Sequence, residues 1–263
     1  MGAGLGRDLA LCYAREGARV VMGARRTRYL ESTAAEIEAA GGECVWRSTD
    51  IRDEAQCRAL AALAVDTYGR LDILCNNAFD PGVSAGSPYE WEPSGDPVTW
   101  HQIVDTDLQV WRDAVETNLI GTLQMIRAVV PQMAAQGDGR IVNVNTQSSM
   151  WIKPTHGAYA SSKGALATAT KTLAVELGPL GIRVNGIHPG FIMGEPVMKS
   201  ITESAERAGI AVEQLLDAIA QETCLKYLPD GEQVSGPAIF FSSDLALAVT
   251  GQALPVNCGH YLP

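Results

Sequence analysis

Residues 18–46 hold Ala18-Arg-Val-Val-Met22, then Gly23-Ala-Arg25-Arg26, a stretch over 29–40 closed by Gly41-Gly42, and Glu43-Cys-Val-Trp46. A short β-branched run, a helical stretch ended by paired glycines and a second short run mark two parallel strands joined by a crossover helix. The unit recurs. Helices are expected over 54–68, 110–135 and 158–177, and strands over 71–75, 140–144, 182–187 and 253–256. The spacing predicts an α/β fold, a Rossmann-type doubly wound parallel sheet, with residues 1–263 forming a single dinucleotide-binding and catalytic domain.

Length and composition allow this. The 263 residues are 46% hydrophobic and 19% charged, enough apolar material for one large core. A formal net charge of −10 argues against nucleic acid or an anionic membrane as a partner. Cys12, Cys44, Cys57, Cys75, Cys224 and Cys258 contain no C-x-x-C pair and read as small buried hydrophobes of a reducing compartment. His101, His156, His188 and His260 lack metal-ligand spacing, so no metal site is expected. No apolar run approaches the ~20 residues of a membrane span and no secretory leader is evident, so a cytoplasmic location is expected.

Three clusters carry chemistry. Gly2-Ala-Gly4-Leu5-Gly6-Arg7 leads into a helix expected over 8–16. Glycines let the backbone approach a pyrophosphate, which the helix N-terminus attracts. Dinucleotide folds place a strand before this turn, whereas here Met1 already lies within it, so the sheet is expected to lack its first strand. At the end of the first strand stand Arg25 and Arg26 where an acid would bind the ribose diol of NAD(H). Arginines there suit the 2′-phosphate of NADP(H), with NAD(H) still possible. Finally, Tyr159-Ala-Ser-Ser-Lys163 puts a phenol and an ammonium on one helix face, where the cation favours phenolate and general acid/base work near neutrality.

With these in place the chain resembles the short-chain dehydrogenase/reductase family over nearly its whole length. Gly4-Leu5-Gly6 resembles the end of the family's glycine-rich turn, Asp50-Ile51 the pair that holds adenine, and Asn76-Asn77-Ala78 its NNAG segment, with Phe79 where glycine is usual. Asn118 matches the helix asparagine, Tyr159 and Lys163 the YxxxK pair, and Pro189-Gly190 the turn beside the nicotinamide, with Ile192 following. Thr250-Gly251-Gln252 and Val256-Asn257-Cys258-Gly259 resemble the C-terminal segment, Cys258 replacing a glycine. The family's catalytic serine falls on Thr146, which keeps the hydroxyl; Ser148 and Ser149 are rivals.

The resemblance implies hydride transfer between the nicotinamide cofactor and a small carbonyl or secondary alcohol. Lys163 would bind the nicotinamide ribose, Tyr159 exchange the proton, Thr146 donate to the substrate oxygen and Asn118 hold a water linking Lys163 to solvent. Segments 80–107, with Trp91 and Trp100, and 190–226 leave strand ends and are expected to form the substrate loops, although the tryptophans could equally pack an interface. Trp151, His156 and Phe191 are expected pocket residues alongside Ser148. Family resemblance and small residues on the Tyr159 helix imply a homodimer or homotetramer. Two other outcomes are weighed: a catalytically impaired subunit or binding protein of the same fold, suggested by the absent strand, Phe79 and Cys258, and a lyase or dehalogenase-like relative, which Lys163 and Arg25 count against.

Overall fold

The computed structural model describes residues 4–82, 103–152 and 156–263. Trp91, Trp100, His101 and Gly2 lie outside them. Strands and helices alternate as the sequence predicts: α1 (Leu5–Arg15), β1 (Val20–Ala24), α2 (Thr27–Ala39), β2 (Cys44–Ser48), α3 (Glu54–Tyr68) and β3 (Ile73–Asn76) form the first half. The second half holds α4 (Leu108–Val115), α5 (Thr122–Gln136), β4 (Gly139–Val144), α6 (Gly157–Leu177), β5 (Ile182–Pro189), α7 (Glu195–Ala208), α8 (Val212–Glu222), α9 (Gly231–Ser242) and β6 (Ala253–Val256). All strand pairs are parallel, with Leu74 beside Ile141, Ile141 beside Val184, and Ile187 beside Leu254.

Alternation along β4 builds two cores from one strand, because successive side chains point to opposite faces. Ile141 joins Cys57, Ala61, Met125, Val129 and Met133 beneath α3 and α5. Val142 and Val144 join Leu9, Tyr13, Val234, Ala238 and Phe241 beneath α1 and α9. A third core packs α2 on β1 through Met22, Leu30, Ala34 and Ile37. Helix α9 escapes sequence reading because it carries Pro237 and two glycines and is apolar around much of its circumference.

One expectation is corrected. The helix expected over 110–135 is not continuous: a π-helical turn, Glu116–Gly121, separates α4 from α5. Such turns insert an extra residue and are frequent at functional sites; here the inserted register turns Asn118 fully inward. The segment 190–226, helical in its sequence pattern, forms two helices, α7 and α8.

The sheet is divided. Strands β1 and β2 form one piece and β3–β4–β5–β6 another. Between the facing edges of β1 and β3 runs a cavity of about 760 Å³, lined by α1 residues Leu9 and Ala10 on one face and by Leu60 of α3 and Met125 of α5 on the other. At its polar end the cavity reaches Arg25, Asp50 and Asn76. Strand edges without a neighbour leave main-chain groups exposed to solvent exchange. Amide hydrogen exchange should therefore be faster in β1 and β3 than in β4 and β5, which are paired on both sides; equal protection across all four would contradict the divided sheet.

Candidate active site

The carboxyl ends of β3, β4 and β5 deliver the site, as open parallel sheets require. β4 ends at Val144, and the chain turns through Thr146, whose Oγ1 accepts from the backbone N–H of Ser148 at 3.2 Å. That contact leaves the hydroxyl hydrogen as a donor. The carbonyl of Thr146 accepts from Ser149 Oγ at 2.8 Å and from buried His188 Nδ1 at 3.0 Å. Ser149 is thus committed to holding the turn, which favours Thr146 over it as the donor toward a substrate. Burial keeps His188 below its usual pKa, so the ring bonds the carbonyl as a neutral imidazole.

Helix α6 packs against this turn and presents Tyr159 in its first turn. Lys163, one helical turn on, is 1% exposed, and its Nζ donates to the carbonyl of Val144 at 2.7 Å. Loss of solvation on burial pulls its pKa down to about 7. The amine therefore sits near the midpoint of its titration at neutral pH, a setting suited to proton exchange.

Asn118 Oδ1 accepts from the N–H of Asp80 at 2.8 Å, and its Nδ2 donates to Asp80 O at 2.8 Å and to Ser162 Oγ at 2.9 Å. Both amide hydrogens are used and Oδ1 keeps one lone pair, so the carboxamide clamps the chain after β3 onto α6 with an acceptor to spare. Gly82 completes the clamp: a Cβ there would stand 2.8 Å from the backbone nitrogen of Tyr159. Between Asn77 and the clamp, Phe79 leans its half-exposed ring on Tyr159, centroids 6.1 Å apart.

The cofactor-side residues come together along the cavity. Gly4, Leu5, Gly6, Arg25, Arg26, Asp50, Ile51, Asn76, Asn77 and Ala78 all line it. The N-terminus of α1 has no side-chain cap, so its N–H groups face that space. Asp50 does not offer a free carboxylate: Arg52 grips it with Nη2 at 2.7 Å and holds its pKa low. Arg52 is a third cation at this end that sequence reasoning did not single out. Ile51 packs on Gly121, where a Cβ would approach it to 2.8 Å. A glycine-lined helix N-terminus beside three arginines fits an anionic dinucleotide.

The residues expected beside a substrate gather around the turns that follow β4 and β5 and the segment after β6. Gly190 approaches Asn257 so closely that a Cβ would lie 2.9 Å from both Asn257 Cβ and Gln147 Oε1. Phe191 follows, its ring 5.8 Å from His260. Trp151 meets His260 edge-on at 4.6 Å and stacks on Tyr261 at 6.3 Å. Ile192 packs toward the α9 core, and His156 stands at the start of α6. Nothing at sequence level flagged Gln147, His260 or Tyr261, because no motif contains them. Cys258 has φ +54°, a left-handed conformation that explains why glycine is usual there.

A desolvated lysine binds fewer protons in the folded chain than in the unfolded chain between about pH 7 and its ordinary pKa. Stability then rises with pH through that window. The urea midpoint should climb between pH 7 and pH 9, and Lys163→Met should remove that climb; an unchanged slope in the variant would show that Lys163 is not the titrating group.

Comparison with known proteins agrees with this geometry. A sequence profile described as enoyl-(acyl carrier protein) reductase matches residues 1–260. The 7alpha-hydroxysteroid dehydrogenase of Escherichia coli K12 is 30% identical over 98% of this chain and 90% of its own length. A 3-oxoacyl-acyl-carrier-protein reductase of Thermotoga maritima is 30% identical over 98% of this chain and 93% of its own. Among solved structures, actinorhodin polyketide ketoreductase with NADPH superposes with a TM-score of 0.84 at 29% identity, covering 98% of this chain and 94% of that one. NAD+-bound xylitol dehydrogenase gives 0.83 at 25% identity, covering 96% and 93%. A parallel α/β sheet with phenol, buried lysine and glycine-rich turn at its carboxyl edge, matched end to end by such relatives, places the chain in the short-chain dehydrogenase/reductase family of oxidoreductases.

Proposed function

We propose that this protein interconverts a small carbonyl compound and its secondary alcohol with NADP(H), through Tyr159, Lys163 and Thr146. The observation that carries the proposal is the placement of Lys163: wholly buried one turn beyond Tyr159, its amine on the carbonyl that ends β4, two residues before the Thr146 hydroxyl. The cofactor, when bound, supplies or accepts the hydride. Tyr159 exchanges the proton with the substrate oxygen. Thr146 donates to that same oxygen, where negative charge grows, from a turn already fixed by Ser149 and His188. Lys163 biases the phenol toward ionisation and would hold the ribose.

The phosphate preference rests on Arg25, Arg26 and Arg52, since neighbours of this fold carry NADPH in one case and NAD+ in another. The substrate loops and pocket belong to the same proposal: Ser148, Trp151, His156 and Phe191 wall the substrate, and apolar aromatic surface favours a ring-bearing or otherwise apolar compound. We further infer a cytoplasmic homodimer or homotetramer. Exposed Val104, Leu108 and Val175 are apolar surface that a second copy would cover.

Tyr159→Phe should lower kcat by ~10²–10⁴-fold while leaving the NADPH dissociation constant unchanged. Near-normal turnover would remove Tyr159 from the reaction. Arg25→Glu should weaken NADPH by about tenfold or more and spare NADH, measured by fluorescence titration; equal effects on both cofactors would place Arg25 away from the 2′-phosphate. A folded sample that binds neither cofactor would favour the impaired-subunit alternative.

A further inference from the structure

His260 makes more contacts among site-bearing segments than any role in the scheme above requires. Its imidazole is 2% exposed. Nδ1 lies 3.1 Å from Gln147 Nε2, and Nε2 lies 2.9 Å from Glu222 Oε2 at the end of α8. Both ring nitrogens thus have a hydrogen-bond partner, Gln147 at Nδ1 and Glu222 at Nε2. The ring faces meet Trp151 and Phe191. One side chain thus joins the turn after β4, the turn after β5, the end of α8 and the C-terminal segment that follows β6.

The backbone around His260 is held as firmly. Asn257 Nδ2 donates to Tyr261 O at 2.9 Å, and the N–H of Gly259 donates to Asn257 Oδ1 at 3.0 Å. The N–H of Leu225 donates to Cys258 O at 3.1 Å, tying the chain beyond α8 to the same segment. Gln147 is the residue after Thr146, and its Oε1 is buried without a partner. Among the described residues its side chain is hydrogen-bonded to His260 alone, which makes that histidine the polar restraint on the carboxamide.

We propose that His260 is the positioning residue of the substrate side, holding Gln147 and Trp151 against Phe191 so that the aromatic wall beside Thr146 selects ring-bearing ketones over small aliphatic ones. The inference rests on the proposed carbonyl reduction at this site and adds the residue that sets its selectivity. Among the described residues, its hydrogen-bond partners Gln147 and Glu222 and its ring partners Trp151 and Phe191 do not line the cavity that reaches Arg25, so its loss acts on substrate choice. A shift from a rigid aromatic wall to a loose one costs the ring-bearing ketone its contacts, about tenfold in affinity, and takes little from a small one.

The test compares 1-tetralone with 2-butanone in the NADPH-loaded enzyme. Turnover of either ketone by the wild type checks the carbonyl-reductase reading itself. The inference is checked by ratio: His260→Ala should lower kcat/KM for 1-tetralone about tenfold more than for 2-butanone, mainly through KM. Asn at 260 keeps an acceptor near the Nδ1 position, so His260→Asn should recover part of the selectivity. Without relying on turnover, 1-tetralone titrated into the NADP+-loaded protein by tryptophan fluorescence should bind about tenfold more weakly in His260→Ala. Equal losses for both ketones, or losses that track Tm and NADPH affinity across both variants, would overturn the proposal and leave His260 as packing.

Discussion

The ladder joining β3, β4, β5 and β6 runs in one direction, and its carboxyl ends stop at Asn76, Val144, Pro189 and Val256. Each end releases a short segment into the same region: 77–82, 145–151, 190–194 and 257–261. Parallel register is what makes these four segments neighbours although their sequence positions span most of the chain. The segments themselves contain few regular hydrogen bonds, so side chains hold them: Asn118 the first, His188 and Ser149 the second, and Asn257 the fourth, while His260 joins the second, third and fourth through Gln147 and Phe191. The reacting groups depend on that backing. Tyr159 and Lys163 are rigid because α6 is buried on the ladder, and the rest of the site is rigid because polar side chains fasten loops to it.

Burial explains the electrostatics without a counter-charge. Among the described residues no carboxylate faces Lys163, and its amine rests on one backbone carbonyl. A buried ammonium with one acceptor is costly, so the neutral form is populated near pH 7. Cys75 and Tyr13, in the apolar space beside β3, are pushed upward by the same lack of solvation. Environment thus separates one titratable group that can exchange protons near neutrality from others that stay neutral.

Much of the architecture was legible in local pattern. Short β-branched runs alternating with helical stretches placed α3 and β6 to the residue and the other strands to within two or three. Tyr159 and Lys163 were singled out by their spacing on one helix face, and Thr146 and Pro189-Gly190 by resemblance to the family's ordered motifs. The rest depended on contacts that no spacing encodes. The π-helical turn at Asn118 follows from tertiary packing, Arg52 gains meaning only from its grip on Asp50, and His260 only because β6 ends beside β5. Helix α9 was missed because a helix with one apolar stripe announces itself, whereas one apolar around much of its girth does not.

The divided sheet has a mechanical consequence. Among the described residues, the β1–β2–α2 unit and the β3–β6 ladder meet across the cavity through helices α1, α3 and α5, without strand-to-strand bonds. A molecule lying along that cavity from Arg25 to Asn77 would touch both halves at once and act as a splint between them. Its binding energy would then be expressed partly as added cohesion of the whole chain, growing with the logarithm of its free concentration. In such an arrangement occupancy and mechanical integrity are two readings of one equilibrium, and the half that carries the arginines gains most from being bridged.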